Sequence, residues 1–380
     1  MKVLIAVTHL LGTGHLSRAL TLGRAFSAAR HQPYVVSGGG SARQLDHSGV
    51  DLVQLPPLRS DGVSFSRLLT PTGEVTDDAY FDSRIEMLCD TVQRIQPDIV
   101  ITELFPFGRR SLRQEFLALL DAAHDLPKRP VVLASVRDIL APPSKPKKAD
   151  DAAAILTTRY DGVLVHSDPQ ATQLEASWPV TPAISSMLHY TGYVAPPPPA
   201  PHPEGTGKGE ILVSAGGGAV GETLYRIALK AAALRPALRW RILVGGPSAA
   251  EQIAQLVAEH GETLAHLEPA RPDFRQMLKG AAASVSMCGY NTALDLLQTG
   301  VPAVIVPFDA GNEVEQTLRA SSLTQLDGIA AIPSADLTPE ALCRAVDAVM
   351  AAPARPTDGF RFDGASRTVE IAREMAKERS

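Results

Sequence analysis

The chain of 380 residues is short of three things. Cysteine is the first. Cys89, Cys288 and Cys343 stand too far apart for a metal-ligand cluster, and an odd count builds no disulfide framework, so a reducing, cytoplasmic setting is expected. The second is any long apolar run. The opening stretch Val3 to Val7 is far shorter than a signal-peptide core, and nothing approaches the roughly 20 apolar residues of a membrane span. A soluble chain is expected, with a peripheral membrane contact left open. The third is positive charge. The net charge is −5, with Lys/Arg and Asp/Glu scattered along the length, which leaves no basic footprint for nucleic acid.

What is present is alternation. The length suits two domains of about 150 to 200 residues. Short β-branched runs recur at helix-length intervals: KVLIAV (2–7), PYVVS (33–37), DLVQL (51–55), DIVIT (98–102), PVVLA (130–134) and GVLVH (162–166). Buried strands alternating with helices predict a parallel α/β sheet. The pattern then stops at VAPPPPAPHPEGTGKG, Val194 to Gly209, whose proline and glycine density suits neither helix nor central strand and reads as a linker. It restarts with EILVS (210–214), RWRILVG (239–245), AASVSM (282–287) and AVIVP (303–307), followed by the helical ALCRAVDAVMAA. The expected organisation is a first domain at 1–194, a linker at 195–209, a second domain at 210–360, and a helix at 361–380 that either caps the second domain or crosses back to the first. Two doubly wound, Rossmann-like domains facing across a cleft would hold ligands at the carboxyl ends of their strands.

The polar motifs fall at those ends. After the first strand comes GTGHLSR, in which Gly12 and Gly14 allow a tight turn into a helix and His15 stands at its mouth. Free N–H groups and the positive dipole end disfavour imidazolium, so a neutral His15 suits a general base. A structural histidine in a glycine turn is the plainer alternative. Glu103 and Asp138 each follow a strand on the same edge, and either could orient the imidazole. ELFPFGRR then places Phe105 and Phe107 beside Arg109 and Arg110, aromatic faces for an apolar group and guanidinium forks for an anion: a candidate acceptor pocket, or a packed loop opening a basic helix. In the second half, SAGGGAVGETL puts Gly216, Gly217 and Gly218 between a strand and a helix, a backbone that lets phosphate approach its amides. CGYNTALDLLQTGVPAVIVPFDAGNEVEQTLRA, Cys288 to Ala320, ends a strand at Gly289, offers Asn291 or Thr292 as a helix cap with Asp295 completing a capping box, and adds a polar cluster from Asn312 to Gln316.

These stretches together resemble the nucleotide-sugar glycosyltransferases of the GT-B fold. CGYNTALD, GVPAVIVPF and EQTLRA are similar to the donor-site signature of the small-molecule UDP-glycosyltransferases and of the peptidoglycan lipid-intermediate N-acetylglucosaminyltransferases, with their family 28 C-terminal domain. GTGHLSR resembles the glycine and histidine turn of the latter, and also that of the nucleotide-sugar hydrolase of the CMP-pseudaminate pathway. The resemblance implies that Gly289, Asn291 and Thr292 meet the donor diphosphate, with Gly14 and Gly216 to Gly218 along its path. It also implies that Asp295 accepts the ribose hydroxyls, that Glu315 and Gln316 read the sugar, and that Arg271 to Phe274 lie near the base. Met287 and Arg319 depart from the pattern, which has histidine and asparagine there, so the donor sugar does not carry over.

The implied activity is an inverting transfer from a UDP-sugar, as co-substrate, to an unidentified acceptor hydroxyl, with His15 as general base. Helix N-termini would stabilise the leaving diphosphate, and the chain contains no Asp-x-Asp to hold a divalent ion, so neither metal nor cofactor is expected. The alternatives are a hydrolase in which His15 activates water, or a nucleotide-sugar-binding protein without catalysis.

Overall fold

The computed structural model describes residues 1–10, 13–42, 45–60, 67–215, 221–246, 248–261, 265–309 and 314–379. The chain divides into two compact units. Unit 1 comprises Met1–Pro169, Gln173–Val194 and Arg361–Ser380; unit 2 comprises Gln170–Thr172 and Ala195–Phe360.

Unit 1 holds strands β1 (Lys2–Val7), β2 (Gln32–Gly39), β3 (Asp51–Ser60), β4 (Leu68–Leu69), β5 (Ile99–Glu103), β6 (Val131–Arg137), β7 (Gly162–His166) and β8 (Leu188–Tyr190). Among the described residues they form one sheet in the order β4-β3-β2-β1-β5-β6-β7-β8, parallel except for β4 against β3. Its helices are α1 (Gly14–Ala28), α2 (Asp78–Ile95), α3 (Arg113–His124), α4 (Pro146–Arg159) and α5 (Pro182–Ser185).

A parallel sheet covered on both faces wants apolar residues at every position, and β1 meets this demand. Leu4 and Ala6 point to one core, with Phe116 and Leu120 of α3 and Val92 of α2. Val3, Ile5 and Val7 point to the other, with Leu16, Leu20 and Phe26 on or near one face of α1.

Unit 2 repeats the plan with β9 (Glu210–Ser214), β10 (Arg239–Val244), β11 (Ala265–Pro269), β12 (Ala283–Ser286), β13 (Ala303–Ile305) and β14 (Ile329–Ala331), in the order β11-β10-β9-β12-β13-β14. Every pairing in it is parallel. Its helices are α6 (Glu222–Leu234), α7 (Ala249–His260), α8 (Phe274–Leu278), α9 (Tyr290–Thr299), α10 (Glu315–Leu323) and α11 (Pro339–Ala351). The strands that the apolar runs do not announce, β4, β8, β11 and β14, are the outermost ones of the two sheets.

The last helix, α12 (Gly364–Glu378), belongs to unit 1. Its Val369, Ile371 and Ala372 are buried in the core that α1 covers. Gly364 makes the approach: a Cβ there would lie 2.4 Å from the Gly192 carbonyl oxygen, and only glycine tolerates that proximity. Backbone bonds from Tyr193 N to Arg361 O (2.8 Å) and from Gly364 N to Tyr193 O (3.1 Å) fix the return.

One polar device braces unit 1 from inside. Arg84 of α2, wholly buried, forks onto Glu115 of α3 at 2.8 and 2.9 Å and donates to the carbonyls of Gly38 (3.1 Å) and Pro56. Breaking a buried pair strands the remaining charge, which costs about 3–5 kcal/mol, whereas replacing both partners by apolar groups is close to neutral. Arg84→Ala is therefore expected to lower unfolding stability by about that amount in urea titrations, and Arg84→Met with Glu115→Leu to regain most of it.

Candidate functional site

In unit 1 the site grows from the carboxyl ends of β1, β5, β6 and β7. The turn after β1 delivers α1, whose first residue is Gly14 and whose second is His15; Gly14 is exposed, with open space where a Cβ would stand. Arg18 follows three residues later on the same helix face. Glu103, the last residue of β5, meets both. His15 Nδ1 lies 2.8 Å from Glu103 Oε1, and Arg18 contacts the same oxygen through its terminal nitrogen and Oε2 through Nε at 3.5 Å.

Burial alone would raise the Glu103 pKa, but the Arg18 guanidinium and the His15 hydrogen bond outweigh it and hold the carboxyl well below the usual range. Glu103 is thus ionised and can only accept, so Nδ1 of His15 carries the proton. The 3.3 Å approach of Arg18 to that nitrogen is the weaker contact and yields to the carboxylate. Nε2 is left as the basic atom, and no described residue bonds it. Burial lowers the His15 pKa to about 4 against the opposing pull of Glu103, with Arg18 and Arg109 adding to the fall. His15 is neutral at pH 7.

Behind Glu103 runs a buried polar chain. Ser135 of β6 donates to Glu103 Oε2 at 2.7 Å and accepts from Nε2 of His166, at the end of β7, at 3.0 Å; His166 Nδ1 in turn meets Thr191 Oγ1 at 2.9 Å. Burial, with Arg18 adding to it, lowers the His166 pKa to about 3. Arg18, Ser135, His166 and Thr191 were not among the sequence candidates. The available signal was a polar residue closing an otherwise apolar strand, as in GVLVH, and a cation one helical turn beyond His15.

The loop after β5 corrects two expectations. Phe105 and Phe107 turn no face outward: both are buried, Phe105 stacked on Phe116 at 4.7 Å between centroids and Phe107 edge-on to Trp178 at 5.2 Å. Apolar rings close to a β-sheet gain more from the core than from solvent. Arg109 and Arg110 also part company. Arg109, in the left-handed region at φ 58°, sits where its charge acts on His15, Glu103 and Arg18. Arg110 donates to the Phe107 carbonyl at 3.3 Å. Asp138 is buried and makes contacts of its own; the carboxylate at His15 is that of Glu103.

In unit 2, Gly216, Gly217 and Gly218 lie outside the described residues, as does Asn312 of the polar cluster. At the end of β12, α9 begins at Tyr290 with Gly289 as its N-cap and no side-chain cap. The expected cap at Asn291 or Thr292, with Asp295 completing a box, is therefore corrected. Those residues are already helical, because extended Gly289 enters the helix without a side chain. Ala293 N is bonded back to Gly289 O at 3.0 Å, so the N–H groups of Asn291 and Thr292 precede the first intrahelical donor.

Asp295 lies within α9 and is bound by Arg275 Nε at 2.5 Å. Burial raises its pKa against that pairing. Gln316 is occupied by the backbone, its Oε1 accepting from Cys288 N (2.9 Å) and Phe308 N (3.1 Å). Arg319, the departure from the family pattern, bonds the Cys288 carbonyl at 3.0 Å. Both brace the loop that opens α9. Glu315 stands beside them as the first residue of α10, half-buried. Arg271 is forked on Asp273 at 2.9 and 2.7 Å, and Phe274 starts α8 half-buried.

Residues 213–365 match the glycosyltransferase family 28 C-terminal domain. Among curated proteins, the chain is similar to the UDP-N-acetylglucosamine--N-acetylmuramyl-(pentapeptide) pyrophosphoryl-undecaprenol N-acetylglucosamine transferase of Methylobacterium radiotolerans, 33% identical over 123 residues, or 30% of this chain. The matched stretch spans 33% of that relative's length, and 42% of each of two further transferases of the same description. Among solved structures, MurG of Acinetobacter baumannii superposes with a TM-score of 0.64 at 15% identity, covering 99% of this chain and 100% of that one. UDP-GlcNAc 2-epimerase of Methanocaldococcus jannaschii does so with a TM-score of 0.61 at 10% identity, covering 98% and 100%. The chain thus has the GT-B fold and is similar to the family 28 glycosyltransferases, the family match at residues 213–365 lying almost wholly in unit 2.

Proposed function

We propose that this protein is an inverting, metal-independent glycosyltransferase that moves a sugar from a UDP-sugar to an acceptor hydroxyl. The observation that carries this reading is the His15–Glu103 pair: a neutral imidazole at the carboxyl edge of unit 1, its tautomer set by an ionised carboxylate, with Nε2 left as the base. The family match in unit 2 supports the nucleotide-sugar donor.

In this reading the acceptor hydroxyl gives its proton to His15 Nε2 as its oxygen bonds the anomeric carbon. The bond from that carbon to the diphosphate breaks on the opposite face, and UDP leaves. Glu103 stabilises the imidazolium that forms, as an orienting carboxylate does elsewhere. The N–H groups of Asn291 and Thr292 offer fixed dipoles to the developing diphosphate charge, so no reorganisation is needed at that moment. Asp295 takes the ribose hydroxyls, and Glu315 reads the sugar. Arg109, held within reach of the Glu103 cluster, suits an anionic group on the acceptor; the relative's name, with its pyrophosphoryl-undecaprenol acceptor, points the same way.

The test is calorimetric titration with UDP, dTDP and GDP in the presence of a chelator. UDP is expected to bind tightest. Asp295→Asn should weaken it about 10- to 100-fold, the worth of a charge-assisted hydrogen bond. With the UDP-sugar, nucleotide release that needs an acceptor extract supports transfer, whereas free sugar released into water makes the protein a hydrolase. Absence of nucleotide binding ends the proposal.

A further inference from the structure

The opposite edge of unit 1 carries a second concentration of charge that the reading above does not use. Where β1, β5 and β6 begin, a cavity of about 590 Å³ opens between the sheet's amino edge and the last turns of α12. Open α/β sheets place their reaction sites at the carboxyl ends, so this cavity does not belong to the His15 site.

Its walls are cationic: Lys128 and Arg129 from the loop before β6, Arg373 and Lys377 from α12, and Arg379 just after it. The acids nearby are already engaged. Asp98 accepts from Lys128 Nζ at 3.0 Å and from the Lys2 backbone N at 2.9 Å. Asp161 takes Arg379 through both carboxylate oxygens and lies 3.6 Å from Arg129. Five cationic side chains, with the Met1 ammonium beside them, thus face two carboxylates. Arg373 and Lys377, one turn apart and so on the same helix face, have no acidic partner among the described residues. His31, which also lines the cavity, has a buried Nδ1 without a hydrogen-bond partner. Complementing the carbonyl end of α12 accounts for Lys377 and Arg379; it does not call for Arg373, Arg129 or an unpartnered imidazole nitrogen.

We infer that this cavity is a binding site for a small, multiply charged phosphate compound, a soluble phosphate ester or diphosphate, held by Arg373, Lys377 and Arg129 and contacted by His31. A recess lined by one sign of charge focuses its potential, and guanidinium groups match phosphate oxygens in pairs. The volume suits a ligand of nucleotide size, since small-molecule sites commonly span about 300–1,000 Å³. In support, the His31 pKa is lowered, first by burial and then by positive charge that includes Arg373.

The test uses inorganic pyrophosphate and the imidazole resonances of the intact protein, with the His31 signal assigned by its loss in His31→Gln. Pyrophosphate is expected to shift the His31 resonance saturably, in UDP-saturated protein as well as without nucleotide. Arg373→Ala with Lys377→Ala should weaken that isotherm at least tenfold while leaving the thermal unfolding midpoint in place. Should that pair of changes loosen α12, Lys128→Gln with Arg129→Gln reads the same site from the loop. A His31 signal indifferent to pyrophosphate, or an isotherm unchanged in both double variants, overturns the inference. Equal displacement by vesicles containing anionic lipid would assign the site to a headgroup and overturn the soluble ligand. None of these readouts depends on the transferase reading.

Discussion

Replacing His15 by alanine is expected to lower turnover by about 10²- to 10⁴-fold, the range a positioned general base supplies, with UDP affinity unchanged within twofold. The imidazole makes its contact through Nδ1 to Glu103, so its loss removes the base without touching the donor residues of α9. The pH profile adds a sharper reading. Only the neutral imidazole can take a proton, and its pKa is lowered from 6.5 to about 4, by burial first. The rate should therefore stay level from neutral pH down to about 5 and halve near 4, where a solvated histidine would halve near 6.5. Stability follows the same sign. Because the folded-state value lies below the unfolded one, the unfolded chain binds the proton first; the His15 contribution is complete above pH 6.5 and is lost as pH falls toward 4, on the order of 3 kcal/mol at most. Activity should thus be measured beside a fold probe such as tryptophan fluorescence. Half-loss near pH 6.5 with the fold intact would remove His15 from the role of base.

Glu103→Gln should be costlier still, since it strikes two partners at once. Arg18 is almost fully buried and loses its ion pair with Glu103. Removing one partner of a buried ion pair costs about 3–5 kcal/mol, which chemical denaturation would read directly. The amide also presents an N–H where Nδ1–H of His15 needs an acceptor, which turns the imidazole to the wrong tautomer. The loss in rate expected when an orienting carboxylate becomes an amide is of order 10⁴. Adding Arg18→Met separates the two effects. Stability should recover while turnover stays low; recovery of both would mean that Glu103 serves the fold alone.

How much of this was legible beforehand follows from burial. Central strands such as KVLIAV and DIVIT are covered on both faces and read as continuous apolar runs, which is why they stand out. Of the edge strands, β8 and β11 accept polar residues, as in LHY and AHLEP, and β4 and β14 are only two and three residues long. Polarity hides the first two and shortness the others. The same logic explains the site. His15 and Glu103 lie at the carboxyl ends of predictable strands, so both could be named. The choice of Glu103 over Asp138 depends on side-chain reach that spacing does not encode. Phe105 and Phe107 admit both an acceptor pocket and a packed loop because an aromatic after a strand is compatible with either a pocket or a core. The packing partners that settle it, Phe116 and Trp178, are 11 and 71 residues downstream.

The return of α12 to unit 1 sets an order of events in synthesis. The core under α1, on one face of the first sheet, stays incomplete until Gly364–Glu378 has been made, and the whole of Ala195–Phe360 lies in between. At about 5–20 residues per second, that interval lasts roughly 8 to 30 seconds. Throughout it that core lacks Val369, Ile371 and Ala372, so the nascent first unit waits, sticky on one side, for a segment that emerges after the second unit is complete.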